Sequence, residues 1–493
     1  MRVLFAASEV YPLAKTGGLA DVAAALPAAL TAQGLEVCII MPAYRGVADR
    51  VHAVQAAGEL QVGGQSLRLL VGKHPDHGVP MLLVDAPELF ARAGSPYGHA
   101  DDATRFGSFC EVIARVASGL GPTDLNQGMD ARGVHVAGSA DPLHWDISRP
   151  ADLVHLNDWH TGLVPAYLPR SGPRPRTVFT IHNLAYQGFF ERAKFDALGL
   201  SPALWHADAL EFWGGFSFMK AGLVLSDALT TVSPTYAREI QTAEFGETLD
   251  GVLRMRSAQL IGILNGIDTT VWNPATDALI DYHYDAASVV AGKAANKRAL
   301  QQELGLPPSE LPMLGFIGRL AFQKGADALL AAGEELSQLP LQVVVLASGD
   351  QGLERGFSEL AARHPGRIAV RLTYNERLAH RIEAASDFFI MPSRYEPCGL
   401  NQMYSQRYGA VPLVRRVGGL ADSVDDINSA TPSGIHFENT DAGGVSYAVR
   451  KAIELHAQPA YWAQVQQNGM ARDWSWQAPA ERYVELYRSL LRA

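Results

Sequence analysis

The fold is decided by residues 3–42, VLFAASEVYPLAKTGGLADVAAALPAALTAQGLEVCIIMP. Two short apolar runs in this stretch flank a glycine-containing loop and an alanine-rich helical pattern. Residues 314–336, LGFIGRLAFQKGADALLAAGEEL, repeat the order of an apolar run, a loop with lysine next to glycine, and a helical pattern. Continuous apolar runs that alternate with helical patterns are typical of parallel sheets with crossover helices. The two stretches therefore predict two doubly wound α/β domains in tandem.

Further apolar runs of strand length follow each of these stretches. They are residues 81–84, 153–156, 178–181 and 228–232 in the first half, and residues 341–347, 368–372, 388–391 and 411–414 in the second. Helical patterns are predicted over residues 19–30, 326–336 and 478–491. Ligands of doubly wound sheets bind beyond the carboxyl ends of the strands. Two such domains that face each other predict a ligand site in the cleft between them.

The domain boundaries are predicted from turn signals and from changes in periodicity. Asn265-Gly266-Ile267-Asp268 is a turn signal between the two halves. We predict an N-terminal domain over residues 1–260, a C-terminal domain over residues 261–477, and a separate helix over residues 478–493. The segment 121–150 is rich in Gly, Asp and Pro and is predicted to be a surface insertion.

The composition narrows the classes of function. The chain has 493 residues, with 41 Lys and Arg against 51 Asp and Glu and a net charge of −10, which argues against a nucleic-acid binder. Its three cysteines, Cys38, Cys110 and Cys398, show no CxxC spacing, which excludes a disulfide scaffold and suits a reducing cytosol. No uncharged apolar stretch reaches the ~18–20 residues that span a bilayer. We expect a cytoplasmic protein that binds neither membrane nor nucleic acid; the oligomeric state stays open.

Two loops have the features of phosphate-binding sites. Lys15-Thr16-Gly17-Gly18 stands between the first predicted strand and helix, where glycines admit a ligand and the helix start offers free N–H groups. Arg319 and Lys324 flank the corresponding loop of the second half. Each loop alone also fits a tight turn with solvated cations, but their matching positions favour phosphate binding. Together Lys15, Arg319 and Lys324 are predicted to clamp a diphosphate.

Polar side chains also follow predicted strands. His160 comes just after the run 153–156, where a cleft-facing role and a structural role are equally supported. Glu396 follows the run 388–391 on a proline-fixed turn, and its alternative is a carboxylate that stabilises a helix start. Neither a DxD pair nor an HExxH or EF-hand pattern occurs, so no metal site is predicted.

The chain resembles bacterial glycogen synthases and plant starch synthases, glycosyltransferase family 5, over nearly its whole length. The matching segments are KTGGLADV (15–22), HLNDWHTGL (155–163), TIHNLAYQG (180–188), FMKAGL (218–223), TTVSPTYAREI (230–240), LNGID (264–268), GRLAFQKG (318–325), PSRYEPCGL (392–400) and RRVGGLADSV (415–424). The resemblance implies a GT-B fold, two Rossmann-like domains facing across a cleft, with a final helix that returns to the N-terminal domain. It also implies an enzyme that transfers glucose from ADP-glucose to an α-1,4-glucan, with retention of configuration and without a metal ion or other cofactor.

The resemblance also implies roles for individual residues. The expected ADP-glucose site consists of Lys15, Gly17, Gly18 and Asp21 at the first loop, His160 and Asn265 near the glucosyl unit, Arg319 and Lys324 at the phosphates, Tyr374 stacked on adenine, and Glu396, Cys398, Gly399 and Leu400 at donor sugar and phosphate. Of these, Glu396, His160, Lys15, Arg319 and Lys324 are the expected catalytic group. The second glutamate of related family 4 enzymes is replaced here by Met403, which favours family 5.

The implied reaction is physically coherent, and two alternatives remain open. Cations and helix starts can stabilise the negative charge that builds on a leaving diphosphate, and a carboxylate such as Glu396 can offset positive charge on the glucosyl carbon. One alternative is a GT-B transferase with another donor or acceptor, such as a UDP-sugar or a small sugar. The other is an inactive glucan-binding protein, against which the presence of all the expected catalytic residues argues.

Overall fold

The computed structural model describes residues 1–120, 145–169 and 174–492. Residue contacts divide the chain into two compact units. The first comprises Met1–Val232, Ala237–Asn265 and the residues from Trp476 onward, and the second comprises Ser233–Tyr236 and Gly266–Ser475. Most of the predicted insertion, residues 121–144, lies outside the described residues.

The first unit is built on a nine-stranded sheet with a small three-stranded sheet beside it. The strands of this unit are β1 (Arg2–Ala6), β2 (Glu36–Pro42), β3 (His52–Val62), β4 (Gln65–Lys73), β5 (Pro80–Asp85), β6 (Leu153–Asn157), β7 (Arg176–Ile181), β8 (Phe189–Glu191), β9 (Glu211–Phe212), β10 (Gly215–Ser217), β11 (Ala228–Thr231) and β12 (Leu260–Gly262). The large sheet has the order β12-β11-β7-β6-β1-β2-β5-β4-β3, and β8-β10-β9 form the small one. All neighbours in the large sheet are parallel except at β4, which runs antiparallel to β3 and β5.

Helices connect these strands and cover the sheet. They are α1 (Gly18–Ala32), α2 (Pro87–Phe90), α3 (Asp102–Ala117), α4 (Val164–Tyr167), α5 (Arg192–Ala197), α6 (Phe218–Leu225) and α8 (Asp250–Met255). Helix α7 (Pro234–Glu239) begins in the second unit and ends in the first. The first unit continues beyond the predicted limit of residue 260 because β12 pairs with β11, which keeps the chain in the first sheet.

The second unit has a six-stranded, fully parallel sheet. Its strands are β13 (Met313–Leu320), β14 (Gln342–Gly349), β15 (Ile368–Leu372), β16 (Phe388–Met391), β17 (Val411–Arg415) and β18 (Ile435–Phe437). Their order β15-β14-β13-β16-β17-β18 is that of a Rossmann sheet. Its helices are α9 (Val289–Leu304), α10 (Ala326–Gln338), α11 (Gln351–Arg363), α12 (Glu376–Ala385), α13 (Asn401–Arg407), α14 (Gly418–Ser423), α15 (Ala442–His456) and α16 (Pro459–Met470).

Strand β14 shows why this sheet needs helices on both faces. Val343, Val345 and Ala347 join one buried cluster with residues of α10, α11 and α15. The intervening Val344 and Leu346 join a second buried cluster with residues of α9 and α12. Successive side chains of a strand point to opposite faces, so a continuous apolar run buries both faces of the sheet. The prediction of a doubly wound α/β fold is confirmed.

The last helix, α17 (Gln477–Arg492), belongs to the first unit although it follows the second in sequence. It packs against α1, and the hydroxyl of Tyr487 lies 2.6 Å from Nδ1 of buried His155 on β6. Its apolar side, with Tyr483, Val484 and Tyr487, is buried. Within the described residues, no helix is both long enough and apolar enough to cross a membrane.

Candidate active site

In each unit, predicted site residues follow the two strands at which the order of the sheet reverses, the switch point. The strand order reverses between β1 and β6 in the first unit and between β13 and β16 in the second. Ligands of doubly wound sheets bind at this point because the loops after the two central strands diverge there. Lys15 follows β1 and His160 follows β6, while Lys324 follows β13 and Glu396 follows β16.

The loop before α1 is organised by a buried carboxylate, Glu9. The backbone N–H of Thr16 donates to Oε2 of Glu9 at 2.5 Å, and the N–H of Gly17 donates to the same oxygen at 3.2 Å. The hydroxyl groups of Thr16 and Tyr97 donate to Oε1 at 2.5 and 2.7 Å. Glu9 thereby fixes the backbone from which α1 begins at Gly18. Sequence reasoning missed this residue; the signal was an acidic side chain at the exit of an apolar strand.

Lys15 is an exposed residue of this loop. Its Nζ forms an ion pair of 2.7 Å with Oδ1 of Asp21, in the first turn of α1. Lys15 also lies 5.2 Å from the ring centroid of Tyr11. The structure therefore brings together the predicted residues Lys15, Gly17, Gly18 and Asp21, with the lysine positioned by a carboxylate.

His160 is buried among aromatic rings after β6. Its ring centroid lies 4.0 Å from that of Trp159, 4.3 Å from Tyr97 and 4.8 Å from Phe106. Within the described structure, neither ring nitrogen of His160 has a hydrogen-bond partner. Burial lowers the pKa of His160 well below its ordinary value, with a further contribution from the charge of Arg105. The imidazole is therefore neutral and keeps one donor and one acceptor for a polar ligand.

Asp158, just before His160, has a strained backbone with φ of +56°. Its Oδ1 accepts the backbone N–H groups of His182 at 2.7 Å and Asn183 at 3.3 Å. Burial raises the pKa of Asp158 to about 7. Strained backbone and shifted pKa values tend to occur together at functional sites. Asn265 is also buried, and its Oδ1 has no hydrogen-bond partner among the described residues.

In the second unit, Lys324 and Glu396 form the centre of the candidate site. Lys324 Nζ lies 2.7 Å from Oε2 of the buried Glu396, and the hydroxyl of Ser393 donates to the same oxygen at 2.9 Å. Glu396 lies in the loop that precedes α13, and its carboxylate contacts Lys324. Its two predicted roles, in the site and as a helix-start carboxylate, both stay predictions. Arg319 is exposed, and its guanidinium donates to Oε1 of Gln323 at 3.3 Å.

The loop after Glu396 leads into α13 through Cys398, Gly399 and Leu400. Gly399 has φ of +70°, a conformation that favours glycine. The Cys398 thiol is buried, and the side chain of Asn401 donates to the backbone oxygen of Ile317 at 2.9 Å. Tyr374 lies just beyond β15 and is 73% exposed. In the described part of the chain, no three His, Cys, Asp or Glu residues group so that they could hold a metal ion.

Two family models match the chain. Residues 2–255 match the model described as the starch synthase catalytic domain, and residues 296–468 match glycosyl transferases group 1. Glycogen synthase 1 of Methylococcus capsulatus is 49% identical, over 100% of this chain and 97% of its own length. The chain belongs to the glycogen synthase family.

Another member of the glycogen synthase family and two solved structures are also similar to the chain in sequence or fold. The glycogen synthase of Thioalkalivibrio sulfidiphilus is 46% identical over the full length of both chains. The catalytic domain of starch synthase IV from Arabidopsis thaliana, a structure bound to ADP and acarbose, has a TM-score of 0.86 and 33% identity, covering 100% of this chain and 99% of that one. Sucrose-phosphate synthase from Thermosynechococcus elongatus, with a TM-score of 0.59 and 19% identity over 99% of both chains, shares the fold. The predictions of the family, of a GT-B fold and of a glycosyltransferase are confirmed.

Proposed function

We propose that this glycosyltransferase transfers glucose from ADP-glucose to the non-reducing end of an α-1,4-glucan, with retention of configuration. The observation that carries the proposal is the pair of phosphate-type loops at the switch points of two Rossmann-like sheets, in a chain of the glycogen synthase family. A nucleoside diphosphate sugar offers each loop a negatively charged group to bind.

Stabilisation of the leaving ADP is the main chemical task. As the bond from the glucosyl carbon to phosphate breaks, negative charge builds on the diphosphate. Lys15, Arg319 and Lys324, with the free N–H groups at the start of α1, supply fixed positive charge there. Asp21 and Glu396 each hold one of these lysines at 2.7 Å, so the cations are positioned before the substrate arrives.

The glucosyl unit meets Glu396, His160 and Asn265. The Glu396 carboxylate offsets positive charge that develops on the glucosyl carbon. Because His160 is neutral, its imidazole exchanges hydrogen bonds with sugar hydroxyls and adds no positive charge beside that carbon. The unpartnered Oδ1 of Asn265 accepts from another hydroxyl.

The nucleotide and the phosphates complete the donor site. Tyr374 stacks on adenine with its exposed ring. The backbone N–H groups of Cys398, Gly399 and Leu400, ahead of α13, donate to phosphate and sugar oxygens, and Gly17 and Gly18 leave space for the diphosphate at the other loop.

Retention of configuration is proposed to occur by attack of the acceptor on the same face from which ADP leaves. A retaining glycosidase uses two carboxyl groups about 5–5.5 Å apart, one as nucleophile. Within the described residues, the hydrogen-bond and ion-pair partners of the Glu396 carboxylate are Lys324 and Ser393 rather than a second carboxyl group.

The experiment is incubation with ADP-glucose or UDP-glucose and glycogen, with linkage and anomeric analysis of the product. We expect ADP release, new α-1,4 linkages and a preference for ADP-glucose. If transfer from UDP-glucose is as fast as transfer from ADP-glucose or faster, the proposed donor is wrong. If ADP release in the presence of glycogen does not exceed the background rate, the alternative of an inactive glucan-binding protein is favoured.

We also predict that the reaction proceeds without a metal ion, because three cations supply the charge that a metal would otherwise provide. Exhaustive treatment with EDTA is expected to leave turnover nearly intact. Loss of activity that magnesium or manganese restores would contradict this prediction.

A further inference from the structure

The hairpin between β9 and β10 has a tryptophan where turn chemistry disfavours one. Phe212 pairs with Gly215, so Trp213 and Gly214 form a two-residue loop. Their φ angles are +50° and +81°. Loops with positive φ at both positions strongly prefer Asn-Gly or Gly-Gly, because residues with a bulky side chain are strained there.

Within the described residues, the one ring contact that this tryptophan makes is with its chain neighbour Phe212. Its side chain is 78% exposed, so it contributes little to the burial of apolar surface. The turn is held by other atoms, since the N–H of Gly214 donates to Oε1 of Glu211 at 2.8 Å. A strained backbone that presents a large exposed ring on a fixed turn indicates that the ring binds another molecule.

Two further rings extend this surface. The Phe189 side chain is 51% exposed, and its ring lies over Gly215, where a β-carbon would stand 2.5 Å from Cζ of Phe189. The ring centroids of Phe189 and Phe212 are 6.3 Å apart, and those of Phe212 and Trp213 are 6.2 Å apart. We call Phe189, Phe212 and Trp213 the aromatic face.

We propose that the aromatic face binds an α-glucan chain. This rests on the proposed function, which supplies such a chain as acceptor. Each glucose ring presents C–H groups that pack on an aromatic ring and hydroxyl groups at its edge. Glu191 stands opposite Gly215, which also pairs with Phe212, so the Glu191 carboxylate lies on the same side of the small sheet as Phe212 and offers an acceptor for those hydroxyls.

The size and chemistry of the aromatic face favour a saccharide over a protein. Stable protein interfaces bury about 1,200–2,000 Å² in total, far more than three rings provide. A saccharide of a few units covers a surface of this size. Since the glucan is uncharged, the neighbouring carboxylates do not repel it.

The test replaces Trp213 with asparagine, which suits the turn and removes the ring. Glycogen affinity is measured by electrophoresis in gels with graded glycogen and without ADP-glucose, and folding by calorimetry. For Trp213→Asn we expect a melting temperature equal to or above that of the wild type, and glycogen affinity reduced roughly 3- to 10-fold, the range for loss of one aromatic stacking contact. Phe189→Ala is expected to weaken glycogen binding as well.

The matched control is Tyr447→Ala, which removes a 53% exposed ring from α15 in the second unit and is expected to leave glycogen affinity unchanged. Unchanged glycogen affinity in Trp213→Asn overturns the proposal, as does a wild type that does not bind glycogen. A change in sedimentation of Trp213→Asn without glycogen would assign the face to self-association instead. Wild-type glucosyl transfer is assayed separately: its absence refutes the proposed function, whereas active enzyme with unchanged glycogen affinity in the variant refutes only this inference.

Discussion

At the scale of single residues, the ion pair between Lys324 and Glu396 connects the proposed phosphate-binding group with the group proposed to contact the glucosyl unit. The lysine is assigned to the phosphates and the glutamate to the glucosyl unit, and their 2.7 Å contact holds both in place. When ADP-glucose binds, Lys324 and Glu396 are expected to form contacts with the donor in place of part of their contact with each other. A charge that is useful mainly when the glucosyl carbon becomes positive affects turnover more than binding.

We predict that Glu396→Gln lowers kcat by roughly 100- to 1,000-fold, the usual range for removal of one electrostatic partner of a transition state, with little change in KM. Glutamine keeps the shape of the side chain and removes its charge. The measurement is steady-state kinetics with ADP-glucose and glycogen, with folding checked by thermal melting. Ser393→Ala, which removes only the hydroxyl donor to Glu396, is the control and is expected to have a small effect. Near-normal turnover in a folded Glu396→Gln variant would contradict the assignment.

Asp158 gives a prediction about pH. Burial raises its folded pKa to about 7, above the ordinary value of 3.8. The folded state then binds more protons than the unfolded state between these values, so the contribution of Asp158 to stability falls as the pH rises toward 7. Asparagine accepts the same backbone N–H groups, tolerates positive φ and does not ionise. Calorimetry should therefore show that the melting temperature of Asp158→Asn rises relative to that of the wild type as the pH increases from 5 to 8.

Asp227 serves as the control for this measurement. Hydrogen bonds from Arg174 and Thr177 outweigh burial and lower its pKa. Its contribution to stability is present above the ordinary pKa and is lost only in more acidic solution. The difference between Asp227→Asn and the wild type should therefore stay nearly constant from pH 5 to pH 8. A constant difference for Asp158→Asn as well would show that Asp158 is ionised throughout that range.

At the scale of elements, the loop between β1 and α1 depends on Glu9. Four groups donate to this one carboxylate, two of them backbone N–H groups of the loop. The loop therefore has a fixed shape before any ligand binds, which reduces the entropy that donor binding must overcome.

We predict that Glu9→Ala raises the KM for ADP-glucose by about tenfold or more, because a hydrogen bond to a charged group contributes about 1.5–3 kcal/mol. Turnover at saturating donor should change less. The control is Thr16→Val, which removes one hydroxyl donor and leaves the backbone donors in place, and its effect should be smaller. A folded Glu9→Ala variant with an unchanged KM would show that the loop is held by other contacts.

The elements also show what the sequence could predict. Strands such as β5 and β16 contain continuous apolar runs because both their faces are buried, and these strands were predicted. The hairpin of β3 and β4 was missed because β3 is largely exposed and has no such run. The small sheet β8-β10-β9 was missed because its strands have only two or three residues. The loop positions of Lys15, Lys324 and Glu396 followed from strand ends. The pairing of Lys324 with Glu396 could not be predicted, because these residues are 72 positions apart and meet only in the folded unit.

At the scale of the whole molecule, the proposed phosphate ligands come from both compact units. Since neither unit alone supplies all three cations, we predict that ADP-glucose draws the units together. Small-angle scattering at saturating ADP-glucose should show a smaller radius of gyration, or a shifted mixture of conformations, compared with the free protein. Glucose 1-phosphate, which lacks the adenosine and one phosphate, is the control. An unchanged scattering curve at saturating donor would count against closure.

The return of α17 to the first unit has a consequence for synthesis on the ribosome. The second unit is nearly contiguous in sequence, but the first lacks Tyr483 and Tyr487 until the second unit has been translated. Until then His155 has no phenol hydroxyl to bond, and the surface of α1 that α17 covers stays open to water. Domains generally fold as units while the chain emerges. Here the large sheet of the first unit is translated before most of the second unit, but the first unit is completed only after the second. A nascent chain therefore carries an unfinished first unit while the second unit is being made.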